Sequence, residues 1–210
     1  MTSTSNSGII SIFNSRKYLL EILNSRGFDT SNYDNINISE VGILSEQNQL
    51  DMLLTRKESG KKIYVKYYVE KIIKQNNIYS IIEDLFHLEN ILSKKDDLII
   101  IIKDEPNETL IETVRELWTQ ENIYLSLINI KRLQFNILKH ELVPKHSVLT
   151  KNEEAEFKKK FNILDNTSIP DISYFSPVSI VMGFRPDDII KIERKSRTAV
   201  TSDYYRICKI

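Results

Sequence analysis

The chain has 210 residues, enough for one large domain or two modest ones. Hydrophobic residues make up 41% of it, which can support a packed core and argues against wholesale disorder. Lysine plus arginine and aspartate plus glutamate number 29 each, so the formal net charge is zero, which argues against a protein that binds nucleic acid on its own.

Three features concern the compartment and the chain start. The single cysteine, Cys208, excludes an internal disulfide and favours a reducing compartment. No apolar run approaches the ~20 residues that a helix needs to cross a bilayer, so we expect no membrane partner. Residues 1–7 lack the basic and apolar parts of a secretory signal, and their polar composition predicts a disordered tail.

The first predicted elements are a helix and a strand separated by a less regular region. Apolar residues at helical spacing between residues 9 and 23 predict the helix. Gly27 supplies the left-handed residue that commonly closes a helix, and Phe28 is placed to pack back on its last turn. Residues 43–54 indicate a second helix or helical turn. Residues 62–69, rich in β-branched and aromatic side chains, predict a strand.

A regular alternation of helix and strand follows. Residues 78–92 have the spacing of an amphipathic helix, and the continuous apolar run 98–102 is typical of a strand buried on both faces. Residues 110–118 predict another helix and residues 123–130 another strand. This order implies a parallel or mixed sheet with right-handed crossovers, so we predict an α/β domain over residues 8–138.

The sequence carries little sign of catalysis. It has no glycine-rich phosphate loop, nucleophile elbow, zinc-protease motif or paired cysteines, and we expect no cofactor and no metal. Restriction-type nucleases hold their metal with an acidic residue followed by an acidic-x-Lys triplet on the next strand. Asp51 and Lys66 have roughly this layout, but Tyr64 replaces the second carboxylate that a hard cation needs. A metal-dependent nuclease using Asp51 and Lys66 stays an alternative to a solvent-facing lysine.

The last part of the chain has a different pattern. Pro144 rules out a regular helix through residues 140–146 and biases Val143 to an extended conformation. Thr150 and Glu153 form a capping box that opens a helix carrying two phenylalanines one turn apart. These signals predict a small α+β domain over residues 139–210.

Further signals complete this small domain. Ser176, Pro177 and Gly183 have the spacing of N-cap, first residue and stop of a very short helix. Residues 189–192 and 204–208 predict two strands joined by a basic connection over residues 193–203. A domain this small needs support from a partner surface.

The same region resembles a known family, motif by motif and in order. From His140 to Ile207 it is similar to the C-terminal domain of the fifth shared subunit of eukaryotic RNA polymerases and to the archaeal counterpart of that subunit. The resemblance implies that assembly or docking involves His140, Glu141, Leu142, Val143, Pro144, Lys145, His146, Pro177, Gly183, Arg194, Ser196, Tyr205 and Arg206. A metal site at the two histidines is the less favoured interpretation, because proline separates them and no cysteine is near; hydrogen bonds that fix the chain are favoured.

The N-terminal part resembles the eukaryotic version of this family more loosely. Residues 24–28 are similar to the exit of the family's first helix, and the alternating elements fit its jaw domain, which resembles a truncated restriction-endonuclease fold without activity. In the family a Thr-Pro-Ser-Ala turn of the jaw approaches DNA. Here the turn is Glu105-Pro106-Asn107-Glu108, which makes Pro106 and Asn107 candidate DNA-proximal residues, although both glutamates would repel phosphate.

The C-terminal part also departs from the family pattern. Ser176 stands where the family usually has aspartate, Val181 where it has tyrosine and Arg197 where it favours glutamate. Val200-Thr201 replaces Gly-Arg in the connection between the last two strands. Valine would be strained in a conformation that glycine permits, so we expect that loop to differ in shape or in partner contact.

The resemblance implies a non-catalytic subunit of a DNA-directed RNA polymerase, with nucleotidyl transfer and its metal on the large subunits. The expected partners are the largest subunit, other polymerase subunits and downstream duplex DNA within the complex, and we expect no homo-oligomer. The expected location is the nucleus for a cellular chain, or the host cytoplasm, virus factory and virion for a chain from a virus of eukaryotes. A free-standing adaptor that binds polymerase transiently is a further alternative.

Overall fold

A computed structural model describes residues 2–196 and 198–210. The chain divides into two compact units, one ending at Asn136 and the other running from Ile137 to Ile210. The sequence placed this boundary between residues 138 and 139. No helix in the described part of the chain is long and apolar enough to cross a membrane.

The first unit is a mixed sheet with helices, which confirms the predicted α/β class. The sheet has the order β1-β2-β3-β4, in which β1 is antiparallel to β2 while β2, β3 and β4 are parallel. Turns of π-helix continue the third and fourth helices. The elements are α1 (Thr2–Ser25), α2 (Ile38–Glu46), β1 (Met52–Thr55), β2 (Lys62–Tyr68), α3 (Gln75–Ile82), β3 (Asp97–Ile102), α4 (Glu108–Glu116) and β4 (Tyr124–Asn129).

The two strands β3 and β4 form the centre of this core. Every residue of both strands is buried, as the continuous apolar run 98–102 predicted. Strands covered on both faces cannot alternate apolar and polar residues, and for this reason their sequence pattern is continuous rather than periodic.

Two predictions for the first unit are wrong. Residues 43–54 are not one helix: α2 ends at Glu46, and Met52–Thr55 is strand β1. Met52 and Leu54 are buried while the residues after each are exposed, a two-residue period that so short a segment did not reveal. The helix predicted over residues 78–92 is also shorter, because its π-helical continuation ends at Leu88.

The predicted disordered tail is also corrected. Helix α1 already begins at Thr2, so residues 2–7 belong to it, and Met1 lies outside the described residues. Serine, threonine and asparagine cost a helix only about 0.5 kcal/mol each relative to alanine, and the segment holds no proline. An established amphipathic helix can therefore extend through them, since propagation is much easier than nucleation.

The end of α1 follows the prediction. Gly27 has φ +87°, and its N–H donates to the Asn24 carbonyl at 2.9 Å. The N–H of Phe28 reaches back to the Leu23 carbonyl at 3.1 Å, and Phe28 itself is buried. This pair of bonds is the Schellman arrangement, which a left-handed residue makes possible.

Charged side chains fix the edge of the sheet where β2 and β3 begin. The Asp97 carboxylate accepts from Lys61 Nζ at 2.6 Å and lies 3.7 Å from Arg26 Nη2. The neighbouring Asp96 carboxylate accepts the backbone N–H of Lys62 at 2.7 Å. These contacts join the residue after α1 to the starts of β2 and β3, and sequence patterns did not indicate them.

The second unit is a four-stranded sheet with two helices. Its sheet has the order β5-β7-β8-β6, in which β7 is antiparallel to both neighbours and β6 runs parallel to β8. A core cluster is formed by Phe157, Ile169, Ile189 and Ile207. The elements are β5 (Lys145–Val148), α5 (Lys151–Lys160), β6 (Asp171–Ser173), α6 (Pro177–Met182), β7 (Ile189–Ser196) and β8 (Val200–Lys209).

Both predicted helix starts in this unit are confirmed. Thr150 caps α5, and the Glu153 carboxylate accepts the Thr150 N–H at 2.8 Å, completing the capping box. Ser176 caps α6, with Pro177 as its first residue. The predicted basic connection over residues 193–203 is too long, because the paired strands continue to Ser196 and resume at Val200; Arg197 lies outside the described residues.

Candidate functional site

The stretch 140–146 is a turn followed by an edge strand. The N–H of Val143 donates to the His140 carbonyl at 2.9 Å, and the N–H of Leu142 donates to His140 Nδ1 at 3.2 Å. After Pro144 the chain enters β5, in which Lys145 pairs with Glu193 of β7. Proline therefore ends the turn, as expected from its fixed φ and missing N–H.

The two histidines differ in environment. His140 and Glu141 are exposed, whereas His146 is half-buried, with its ring 6.3 Å from that of Phe184. His146 Nδ1 lies 2.7 Å from the Pro144 carbonyl oxygen, which can accept a hydrogen bond from a protonated Nδ1. Burial lowers the pKa of His146, against the opposing effect of that carbonyl. A neutral imidazole holding its own loop fits the predicted hydrogen-bonding role.

The structure contains no group of three histidine, cysteine, aspartate or glutamate side chains, within residues 2–196 and 198–210, that could hold a metal ion. The sequence had offered His140, Glu141 and His146 as possible metal ligands. Here His140 serves the turn and His146 serves the loop before β5.

Strand register brings several predicted residues to one face of the second sheet. His146 pairs with Ile192, and Ile192 pairs with Tyr204, so these three lie side by side. Arg194, two residues further along β7, places its guanidinium 5.1 Å from the centre of the Tyr204 ring, within reach of a cation–π contact. Tyr204 was not predicted as a site residue, and the two-residue alternation along β8 would have located it.

Other predicted residues lie on the opposite face. Tyr205 stacks on Phe157, with ring centroids 4.2 Å apart, so it supports the core under α5. Lys145 Nζ lies 3.8 Å from the Glu193 carboxylate. Arg206 returns to the first face by alternation, and its Nη1 donates to the Asp171 carbonyl at 3.4 Å. The predicted docking residues on β5, β7 and β8 are therefore divided between two faces of one sheet.

Pro177 and Gly183 have conformational roles. Pro177 is the first residue of α6, where its missing N–H leaves no intrahelical bond unmade. Gly183 has φ +72°, and its N–H donates to the Ser179 carbonyl at 2.9 Å. Both residues fix the short helix that precedes β7.

Large apolar side chains are exposed around this unit. Leu142 is 83% exposed and lies within a turn, and Leu164 is 96% exposed and lies just after one. Further members of this group are Val148, Phe161, Val200 and Tyr204. Single exposed apolar side chains are normal on a protein surface, whereas a contiguous patch of them marks an interaction site.

The tip of the β7–β8 hairpin carries backbone strain. Val200 has φ +58°, in the left-handed region that favours glycine. Ser196 Oγ accepts the N–H of Ala199 at 3.3 Å and thereby ties the turn to the end of β7. The strain predicted for valine at this position is thus present in the fold.

Replacing Val200 with glycine is expected to raise the unfolding free energy of the second unit by about 0.5–1 kcal/mol. The left-handed conformation costs a residue with a Cβ about 1–2 kcal/mol, and the greater backbone entropy of glycine in the unfolded chain offsets part of the gain. Hydrogen exchange of the β7 and β8 amides measures the change. Val200→Ala keeps a Cβ and should gain less; an equal gain from alanine would show that strain is not the cause.

The candidate DNA-proximal residues lie between β3 and α4. Asn107 Oδ1 accepts the N–H of Leu110 at 3.0 Å and caps α4. Glu105 pairs with Arg132 through two hydrogen bonds of 2.8 and 3.1 Å, so its negative charge is compensated locally. Pro106 is half-buried between them. The side-chain oxygen of Asn107 is thus used within the chain.

The residues of the nuclease alternative do meet. Asp51 Oδ2 lies 3.1 Å from both Lys66 Nζ and the Tyr64 hydroxyl, and Asp51 Oδ1 accepts the N–H of Tyr67 at 3.0 Å. Lys66 is therefore ion-paired rather than simply solvent-facing. Burial and the Asp51 charge raise the pKa of Tyr64 well above its ordinary value, which keeps it a neutral donor. The Tyr64 hydroxyl, which donates to Asp51, therefore occupies the position where a restriction-type nuclease has its second metal-binding carboxylate.

Comparison with known proteins follows the division into units. The family model for the C-terminal domain of RNA polymerase Rpb5 matches residues 135–208. Subunit 5B of DNA-directed RNA polymerases IV and V from Arabidopsis thaliana is 29% identical over 197 residues, which cover 91% of this chain and 86% of the plant protein. DNA-directed RNA polymerase subunit Rpo5 from Thermococcus celer is 38% identical over 74 residues, covering 35% of this chain and 89% of that protein. Rpo5 from Archaeoglobus fulgidus is 41% identical over 75 residues and is covered to 97%.

Proposed function

The chain belongs to the family of the fifth RNA polymerase subunit, and we propose that it is a non-catalytic subunit of a DNA-directed RNA polymerase that docks on the largest subunit through residues 137–210. The observation that carries this proposal is the extent of the match. Archaeal Rpo5 relatives are matched over 74 residues, about the length of the second unit, and that match covers most of their own length.

The second unit offers the surface for such docking. A larger subunit that covered Leu142 and Leu164 would remove their apolar area from water, which stabilises a complex by roughly 25 cal/mol per Å² buried. The face that carries His146, Arg194 and Tyr204 adds an arginine whose guanidinium already lies 5.1 Å from the centre of an aromatic ring, and interfaces favour arginine and tyrosine. A unit this small also gains stability from a partner surface.

The proposed role of the first unit is that of a jaw near downstream DNA, with a truncated restriction-endonuclease-like fold. Its mixed sheet flanked by helices supports this, and so does the meeting of Asp51 and Lys66 without a second carboxylate. The loop at Pro106 and Asn107 would lie toward the DNA. The Glu105–Arg132 pair leaves that loop less repulsive to phosphate than its sequence implied. The proposed location is the nucleus for a cellular chain and the virus factory and virion for a viral one.

The proposal is tested with a tagged full-length chain purified from its native source. We expect stoichiometric, salt-resistant recovery of the large polymerase subunits. The double variant Leu142→Asp/Leu164→Asp should lose most of that recovery, because charge replaces two exposed apolar side chains at little cost to folding.

The matched control places the same change on the first unit. Ile43 and Ile72 are also exposed, so Ile43→Asp/Ile72→Asp makes the same charge change on the surface of the first unit and should keep polymerase recovery. Failure of the unmodified chain to recover polymerase would overturn the proposed function. Recovery that survives the Leu142/Leu164 change would overturn the proposed docking surface alone. Transient recovery that high salt removes would favour the adaptor alternative.

A further inference from the structure

A groove of about 960 Å³ opens in the first unit, at the edge of the sheet where β2 and β3 begin. Two pairs of lysines flank the two strand starts, one pair at the beginning of β2 and the other just before β3. Because β2 and β3 are parallel, their amino ends meet at one edge and bring the pairs together. The cationic side chains that line the groove are Arg56, Lys61, Lys62, Lys94 and Lys95.

The positive charge of the groove is only partly compensated. Asp96 is the carboxylate among its lining residues, and it accepts the backbone N–H of Lys62 at 2.7 Å. Lys61 is engaged by the buried Asp97, and Lys62 Nζ donates to a carbonyl, that of Ile91, at 3.2 Å. In a chain whose formal net charge is zero, this is a local excess of cations.

Two of the cations are well placed for an external ligand. Arg56 and Lys94 are both exposed, and neither side chain forms an ion pair with a residue that the structure describes. An exposed guanidinium and an exposed ammonium on one groove can each pair with a carboxylate, the guanidinium through two parallel bonds.

The floor of the groove is apolar. Phe86, Leu92 and Ile123 contribute buried side chains to its lining, and Ile91 adds a half-buried one. A nucleic acid backbone presents phosphates and sugars and gains little from an apolar floor. A peptide that alternates acidic and apolar side chains satisfies both the rim and the floor, because successive side chains of an extended chain point to opposite sides.

We propose that this groove binds an acidic segment of another protein. Carboxylates of the segment would pair with Arg56 and Lys94, and its apolar side chains would contact the floor beside Phe86. The groove lies at the amino ends of the parallel strands, whereas the loop of Pro106 and Asn107 follows the carboxyl end of β3. The inference is independent of polymerase docking, which is proposed for the second unit.

Binding is tested on the full-length chain with a fluorescein-labelled synthetic peptide in which aspartate and glutamate alternate with leucine and phenylalanine. A second peptide carries asparagine and glutamine in place of the acids. Fluorescence anisotropy should show that the acidic peptide binds and that the amide peptide binds about tenfold more weakly or worse. The double variant Arg56→Glu/Lys94→Glu should lose about tenfold in affinity for the acidic peptide.

The control variant Lys17→Glu/Lys74→Glu makes the same charge change at two exposed lysines outside the groove, and it should keep the affinity within about twofold. Both variants should retain the unfolding transition of the unmodified chain. The proposal is overturned if the acidic peptide does not bind, if the amide peptide binds equally, or if both variants weaken binding alike. Tighter binding of a duplex DNA probe, lost in the Arg56/Lys94 variant, would make the groove a nucleic-acid site instead.

Discussion

Replacing Asp97 with asparagine is expected to lower the unfolding free energy of the first unit by about 3 kcal/mol. The Asp97 side chain is 1% exposed, and its carboxylate meets Lys61 at 2.6 Å and Arg26 at 3.7 Å. Removing one partner of a buried ion pair costs about 3–5 kcal/mol, because the remaining charge is left uncompensated. The two cations keep some contact with water, which places the expected loss at the lower end of that range.

Urea unfolding followed by tryptophan fluorescence measures this loss in the full chain. Trp118 is the only tryptophan of the sequence and lies in the first unit, so its signal reports that unit. Glu112→Gln is the matched control, since Glu112 pairs with Arg115 at 3.3 Å on the surface. The control should lose less than about 0.5 kcal/mol. If the two variants lose equally little, the Asp97 network contributes no more than a surface pair.

The Asp97 network also marks a limit of sequence patterns. The β-branched and aromatic side chains of β2 located that strand, and continuous apolar runs located β3 and β4, because burial on both faces requires apolar residues at successive positions. The partners of Asp97 are Arg26, the residue after α1, and Lys61, the residue before β2, at separations that no local pattern records. The antiparallel edge strand β1 escaped for another reason: four residues give two periods of alternation, too few to distinguish from a helical turn.

In the second unit, cap chemistry was predictable and side-chain roles were less so. The Thr150–Glu153 box and the Gly183 stop were identified because local hydrogen bonding demands those residue types. Family motifs placed Tyr205 and Arg194 in one docking set. Strand register places them on opposite faces of the sheet: Tyr205 packs on Phe157, and the Arg194 guanidinium lies beside the Tyr204 ring. A motif records which residues recur, but the face that each one occupies follows from pairing.

Replacing Phe157 with alanine is expected to unfold most of the second unit at room temperature while the first unit stays folded. The Phe157 ring is buried, stacks on Tyr205 at 4.2 Å and packs in the cluster with Ile189 and Ile207. Truncating a buried phenylalanine to alanine costs about 3–5 kcal/mol. A single core in a unit of this size supplies rarely more than about 3–5 kcal/mol in total, so little stability would remain.

Two-dimensional ¹⁵N–¹H NMR of the full chain distinguishes the units. Amide signals of residues 137–210 should collapse to the narrow range of unfolded peptide, and those of the first unit should stay dispersed. Phe161→Ala is the control, because Phe161 is 53% exposed and should lose only about 1 kcal/mol. Dispersed signals throughout the Phe157 variant would contradict the expectation.

The Phe157 variant also separates folding from docking in the polymerase experiment. If the second unit docks on the largest subunit, Phe157→Ala should lose polymerase recovery because the docking surface no longer exists. Leu142→Asp/Leu164→Asp should lose it with the unit still folded, since both leucines lie outside the core cluster. Docking is assigned to the exposed surface if both variants lose polymerase recovery and only the leucine variant keeps dispersed NMR signals for residues 137–210. Polymerase recovery by the unfolded Phe157 variant would instead assign docking to the first unit.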